Sequence, residues 1–185
     1  MVDVLDEKGQ KTGEKAIIFP RYHQLDAVRR LVAHAREHGP GQRYLIQHSA
    51  GSGKSNSISW LAHQLSVLHD EQDRRVFDSI IVVSDRRVID RQLQTAVQQF
   101  EQTLGVVEKI DTTSKQLKQA LEEGKTIIVT TLQKFPVIAG QMADLPGQRF
   151  AVIIDEAHSS QTGESSAKLK AVLAARSLEE AEAEE

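Results

Sequence analysis

At 185 residues the chain has the size of one ordinary domain and is long enough to bury a core. With no cysteine it can hold neither a disulfide framework nor a thiolate metal site, which suits a reducing cytoplasm. The net charge of −3 rests on an acidic ending that contributes five glutamates; without them the remainder carries +2, so charge neither supports nor excludes a nucleic-acid partner.

No run approaches the ~18 consecutive apolar residues of a membrane span. The opening MVDVLDEKGQK lacks the basic start and apolar stretch of a signal peptide. Residues 1–18 read as an N-terminal extension, either a small hairpin or a linker, with DEKGQKTGEK as the turn between VDVL and AIIF. Next, Leu25, Val28, Leu31, Val32 and Ala35 fall at helical spacing, and Gly39-Pro40-Gly41 stops the helix. RYLIQ, residues 43–47, is expected to be a short buried strand, followed by a glycine loop. Ile58, Leu61, Ala62, Leu65 and Leu68 then form the apolar face of a second helix.

The alternation continues to the end of the chain. FDSIIVVS is a strand, and Ile89, Leu93, Ala96, Val97 and Phe100 mark a helix. GVVEKI is a weaker strand, and TSKQLKQALEEG a short helix that Gly124 would end. TIIVT and FAVIID are strands without polar alternation, as expected when helices cover both faces of a sheet. Strand and helix in alternation give an α/β fold, a parallel sheet flanked by helices on both faces. AKLKAVLAARSLEEAEAEE reads as a helix running into an acidic tail over 177–185, which leaves one domain over 19–176.

Two stretches carry the chemistry. GSGKS, Gly51 to Ser55, stands between an apolar run and a helix, so Ala50, Gly51, Ser52 and Gly53 can offer backbone N–H groups to phosphate oxygens. Lys54 supplies positive charge for the β- and γ-phosphates of ATP and Ser55 a hydroxyl for Mg²⁺. Glycine suits the loop because a Cβ would obstruct the approach of backbone to phosphate. One position departs from the usual pattern: His48 stands where Gly or Ala is expected.

The second stretch is DEAH at the end of FAVIID. A strand end presents Asp155 and Glu156 to the crevice beyond the carboxyl edge of the sheet, where open α/β folds bind ligands. Asp155 is expected to hold Mg²⁺ through its water shell, Glu156 to polarise the attacking water, and His158 to couple the nucleotide site to whatever the protein moves along. DEAH alone is also an ordinary charged helix start; its pairing with GSGKS about a hundred residues earlier makes it half of a Mg-nucleotide site. Upstream, in FPRYHQ, Gln24 is the candidate reader of adenine, since its amide can pair with N6 and N7. Arg21 is nearby, and Phe19 or Tyr22 offers a stacking surface.

The order FPRYHQ, GSGKS, DRRVIDRQ, TTLQKF, DEAH resembles the first motor domain of superfamily 2 helicases and translocases. More narrowly, FPRYHQLDAVRRLV, HSAGSGKSNSISWLA, VVSDRRVIDRQL, TTLQKF and DEAHSSQTGE resemble the restriction subunit of type I restriction–modification enzymes, over residues 17 to about 172. His48 is usual in that family. The resemblance implies a RecA-like P-loop NTPase domain that uses ATP and Mg²⁺, with double-stranded DNA, modification and specificity subunits as partners of the intact enzyme. It also implies DNA-backbone contacts from Arg86, Arg87 and Gln92, with Asp85 on the same motif, and from Thr130, Thr131, Gln133 and Lys134. Such contacts would be indifferent to base sequence.

Relatives close ATP between two lobes, and the second supplies an arginine finger worth ~10³ or more in rate. No second lobe, coupling motif or nuclease domain is read in this sequence, so the expectation is a motor lobe that by itself binds Mg-ATP weakly and hydrolyses it slowly. Two other readings stay open: the ATP-binding lobe of another superfamily 2 DNA or RNA helicase, and a catalytically silent nucleotide-binding module.

Overall fold

A computed structural model of the chain describes residues 2–5, 11–84, 96–97, 107–109, 119–120, 123, 125–131 and 148–155. The chain opens with a hairpin: β1 (Val2–Leu5) pairs antiparallel with β2 (Lys11–Ala16), so residues 11–15, read as part of the turn, are strand, and residues 17–19 of AIIF are not. Helix α1 (Tyr22–His38) follows and ends at Gly39, whose φ of 69° and N–H bond to the Ala35 carbonyl make the expected glycine stop. Helix α2 (Lys54–Ser66) begins directly after the glycine loop.

Four parallel strands form the central sheet: β3 (Ser79–Ser84), β4 (Val107–Lys109), β5 (Ile127–Thr131) and β6 (Phe150–Ile154), in the order β4-β5-β3-β6. Ile80 stands between Ile127 and Ala151, and Val82 between Val129 and Ile153. These rows face α2, where Leu61, Ala62 and Leu65 meet them in the core. Their neighbours Ile81, Val83 and Ile128 point to the opposite face and are also fully buried. Both faces of the sheet are therefore covered, as the unbroken apolar strands foretold.

Polar side chains fix the amino edge. Ser79 Oγ donates to the Lys125 carbonyl, holding β3 beside β5. Asp78 accepts the Arg149 backbone N–H at 2.7 Å and returns its own N–H to the Arg149 carbonyl, which sets the register of β6.

One expected strand is absent. Residues 42–49 have no regular structure, and Leu45 is 85% exposed. A strand exists only by pairing, and no described strand accepts residues 43–47 as a neighbour; an apolar run alone does not supply one. α1 holds this segment instead, through a 2.9 Å hydrogen bond between Tyr44 OH and His34 Nδ1.

The helix expected over 89–100 is seen only at Ala96 and Val97, and the one before Gly124 only at Gln119 and Ala120. The helix expected near the end lies outside the described residues. No helix among the described residues is long and apolar enough to cross a membrane.

Candidate functional site

The glycine loop is built by α1 as much as by its own sequence. Gln24, in the first turn of α1, is only 3% exposed. Its Oε1 accepts the Arg21 backbone N–H at 2.8 Å, the reciprocal half of a capping box. Its Nε2 donates to the Ser52 carbonyl at 3.1 Å and the Gly53 carbonyl at 2.9 Å. His23 Nε2 donates to the same Ser52 carbonyl at 3.2 Å.

These bonds orient the loop. In a planar trans peptide the carbonyl and the following N–H point in opposite directions. Holding the Ser52 and Gly53 carbonyls against α1 therefore turns the N–H groups of Gly53 and Lys54 away from α1. A fully used peptide face on one side leaves a donor face on the other, the arrangement that suits an anion.

The glycines have a reason the sequence did not give. Gly51 (φ 72°) and Gly53 (φ 80°) are both left-handed, which alone favours glycine. A Cβ on Gly51 would meet nothing within 4 Å, whereas one on Gly53 would lie 2.5 Å from Gln24 Nε2. A side chain at Gly53 would thus require the Gln24 amide to shift from its place on the loop. Ser52 N–H bonds to the Ser49 carbonyl at 3.3 Å, closing the turn that carries Ala50 and Gly51.

Length matching would bring Lys54 toward the strand ends if α2 runs back along the sheet. Val76 N–H donates to the Leu68 carbonyl, so the excursion between α2 and β3 closes on itself and α2 ends near the amino edge of β3. The 13 residues of α2 span ~20 Å at about 1.5 Å each. The 6 residues of β3 also span ~20 Å, at about 3.3 Å each. A helix laid back along the sheet would therefore begin at the edge where the strands end. Asp155 stands at that edge: it is 6% exposed, and its N–H bonds to the Val83 carbonyl at 2.8 Å.

The residues present fit a magnesium-bound nucleotide. Ser52 Oγ is buried with no hydrogen-bond partner among the described residues, an orphan donor inside the loop. Ser55 sits beside Lys54 in the first turn of α2. Among the described residues no group of three His, Asp or Glu side chains could hold a metal alone.

Of the other predicted residues, Arg21, Phe19 and Tyr22 are exposed around the start of α1, Phe19 at 78% and Tyr22 at 82%. Gln24 is not exposed: all its amide hydrogens are given to the loop, so reading adenine would require it to release at least one carbonyl. Thr130 is fully buried and Thr131 nearly so, at the carboxyl end of β5. A side-chain contact from Thr130 to DNA would need the cover over that edge to move. Asp85, Arg86, Arg87, Gln92, Gln133, Lys134, Glu156 and His158 lie outside the described residues. Sequence reasoning missed His23. The signal was present, a histidine beside Gln24 and a second at the anomalous position 48.

Comparison with known proteins follows the same lines. The family model described as SWI2/SNF2 ATPase matches residues 23–178. The endonuclease subunit of the type I restriction enzyme SsaAORF53P from Staphylococcus saprophyticus is 32% identical over 155 residues, 82% of this chain and 16% of that protein. The SauCOLORF180P endonuclease subunit of Staphylococcus aureus (strain COL) is 30% identical over the same shares. The chain thus spans about a sixth of the length of these curated relatives.

Among solved structures, the type ISP restriction–modification enzyme LlaBIII bound to DNA superposes with a TM-score of 0.62 at 16% identity, over 90% of this chain and 13% of that one. The UvsW helicase from bacteriophage T4 gives 0.57 at 16% identity, over 93% and 52%. At these identities the likeness establishes the fold, that of RecA-like helicase domains. The region is similar to the motor domains of helicases and to the endonuclease subunits of type I restriction enzymes.

Proposed function

The chain belongs to the SWI2/SNF2 ATPase family, and on that premise we propose that it is the Mg-ATP-binding motor lobe of a type I restriction enzyme subunit, which in the intact enzyme hydrolyses ATP to pull double-stranded DNA before cleavage. The observation that carries this is the loop at Gly51–Ser55, whose Ser52 and Gly53 carbonyls are bonded to α1 so that the following N–H groups turn the other way. A turn that merely joined a coil to a helix would need no such anchoring.

In this reading the N–H groups of Ala50, Gly51 and Gly53 and the Oγ of Ser52, whose own N–H closes the turn onto Ser49, cradle phosphate oxygens, and Lys54 neutralises the β- and γ-phosphates. Ser55 and Asp155 hold the metal. Mg²⁺, when bound, offsets the charge that develops on the transferred phosphoryl group. Glu156 takes the role of polarising the attacking water, and His158 of relaying the state of the site. Arg21 and Gln24 lie on the base side, with exposed Phe19 and Tyr22 as stacking surfaces for adenine.

Duplex DNA is the partner track, met through phosphate contacts from Arg86, Arg87, Gln92, Thr130, Thr131, Gln133 and Lys134. Modification and specificity subunits join through the intact restriction subunit, in the cytoplasm, without a membrane. The unit that does this is residues 19–176, with 1–18 as an extension and 177–185 as an acidic tail. Alone, this lobe turns over ATP slowly, because closing the nucleotide between two lobes is what supplies the missing transition-state charge.

The test is ATP turnover with and without duplex DNA. Slow, DNA-indifferent hydrolysis by this chain together with saturable Mg-ATP binding supports the reading. Fast DNA-stimulated turnover by this chain alone contradicts the need for a second lobe, and absence of nucleotide binding contradicts the reading altogether.

A further inference from the structure

The nucleotide chemistry leaves one oddity of the sequence unexplained, the imidazole at position 48 where a small residue usually begins the loop. In the fold the rings of His48 and His23 meet edge to face, centroids 4.9 Å apart and planes at 89°. His23 is the residue whose Nε2–H donates to the Ser52 carbonyl. Both imidazoles are half-buried.

We propose that His23 and His48 form a brace that positions the phosphate loop for the triphosphate, a role that rests on the nucleotide reading given above. His48 enters the loop one residue before the Ser49–Ser52 turn and packs on the ring that anchors the far side of that turn. The ring at 48 limits the rotation of His23 and so holds its Nε2–H on the Ser52 carbonyl. A glycine or alanine at 48 could not reach. The Ser52 carbonyl receives two donors, from His23 and Gln24, so both of its lone pairs are used and the peptide plane between Ser52 and Gly53 is fixed about its axis. With Gln24 alone, that plane could tilt, and the Gly53 N–H with it. His23 and His48 touch neither phosphate nor base in this account; they act through the loop, as positioning residues.

The roles of anchor and base reader make opposite predictions for a ligand without a base. Equilibrium titration of the 185-residue chain with Mg-ATP and with magnesium tripolyphosphate separates them. His23→Ala and His48→Gly are each expected to weaken both ligands by the same factor, about three- to tenfold, the size of one net hydrogen bond. The double variant should lose no more than His23→Ala alone, because His48 works through His23. His23→Gln, which keeps a donor at the same reach, should recover most of the loss.

Loss of ATP affinity with tripolyphosphate affinity unchanged overturns the brace in favour of base contact. Additive losses in the double variant, or failure of His23→Gln to recover what His23→Ala lost, also overturn it. If Lys54→Ala abolishes binding while both histidine variants bind as the parent does, only the brace falls. If the parent chain binds neither ligand, the nucleotide reading falls and the brace with it.

Discussion

Gln24 Nε2 donates to the Gly53 carbonyl at 2.9 Å and stands 2.5 Å from where a Cβ on Gly53 would lie. A side chain at Gly53 would thus displace the amide that makes this bond. Gly53→Ala meets two penalties, a left-handed φ of 80° and the clash with the amide. The substitution is expected to destabilise the chain by about 1–3 kcal/mol in urea denaturation and to weaken Mg-ATP binding. Adding Gln24→Ala should recover the part due to the clash and leave the part due to φ. A Gly53→Ala chain with the parent's stability would contradict this geometry.

Gln24 itself can be tested by what its amide donates. Gln24→Ala leaves the Ser52 carbonyl to His23 and the Gly53 carbonyl to the N–H groups of Asn56 and Ser57, so the loss should be about 1–2 kcal/mol. Gln24→Glu places a carboxylate oxygen against those two carbonyls, and burial raises the pKa of the new carboxyl above its unfolded value of about 4.3. At pH 7 Glu should therefore be worse than Ala. As pH falls toward the unfolded pKa the carboxyl protonates, donates one hydrogen bond and regains stability. Denaturation midpoints at several pH values read the crossing directly.

The sheet's centre predicts the largest stability effects. Ile80 is fully buried between Ile127 and Ala151 under α2. Ile80→Ala should cost about 2–5 kcal/mol, and Leu31→Ala, on a half-buried site of α1, less. A loss under about 1 kcal/mol at Ile80 would mean that this strand is not the core.

Asp70 organises the excursion between α2 and β3. Its carboxylate accepts the backbone N–H groups of Gln72 and Arg74 and the Arg74 guanidinium, all at 2.9 Å. The Arg74 backbone bond does most to hold its pKa below the ordinary carboxylate value, with smaller help from the Arg74 side chain and Gln72 against some desolvation. A depressed folded pKa means that the contribution is complete above the unfolded value near 4 and is lost as pH falls through the folded one. Asp70→Asn should lower stability at neutral pH, where that contribution is complete, and flatten the acid limb, so that variant and parent converge as pH falls through the folded value. An acid limb identical to the parent's would exclude Asp70 from it.

Much of this fold was legible because its strands are unbroken apolar runs. Ser79–Ser84, Ile127–Thr131 and Phe150–Ile154 could be placed as apolar runs without polar alternation, and Gly39 marked the end of α1. Residues 43–47, read as a strand from the shorter apolar run Tyr-Leu-Ile, form none, since pairing depends on a neighbour that local sequence does not describe. The loop was legible as a candidate phosphate site; its anchoring through the Ser52 and Gly53 carbonyls was not. Nothing in GSGKS says that Gln24 and His23, about thirty residues earlier, supply the donors. Those contacts follow from α1 packing on α2, a tertiary fact. Gln24 was singled out for its amide, and the amide is what matters, although in this structure it faces the loop.

The phosphate-loop assignment rests on Lys54 as the cation that meets a triphosphate. Titration of the parent chain and Lys54→Ala with Mg-ATP, with thermal melting to verify that both are folded, measures this most directly. A charge-assisted bond to phosphate is worth roughly 1.5–3 kcal/mol, so the variant should bind at least tenfold more weakly. Equal affinity in the two folded chains would contradict the phosphate-loop assignment.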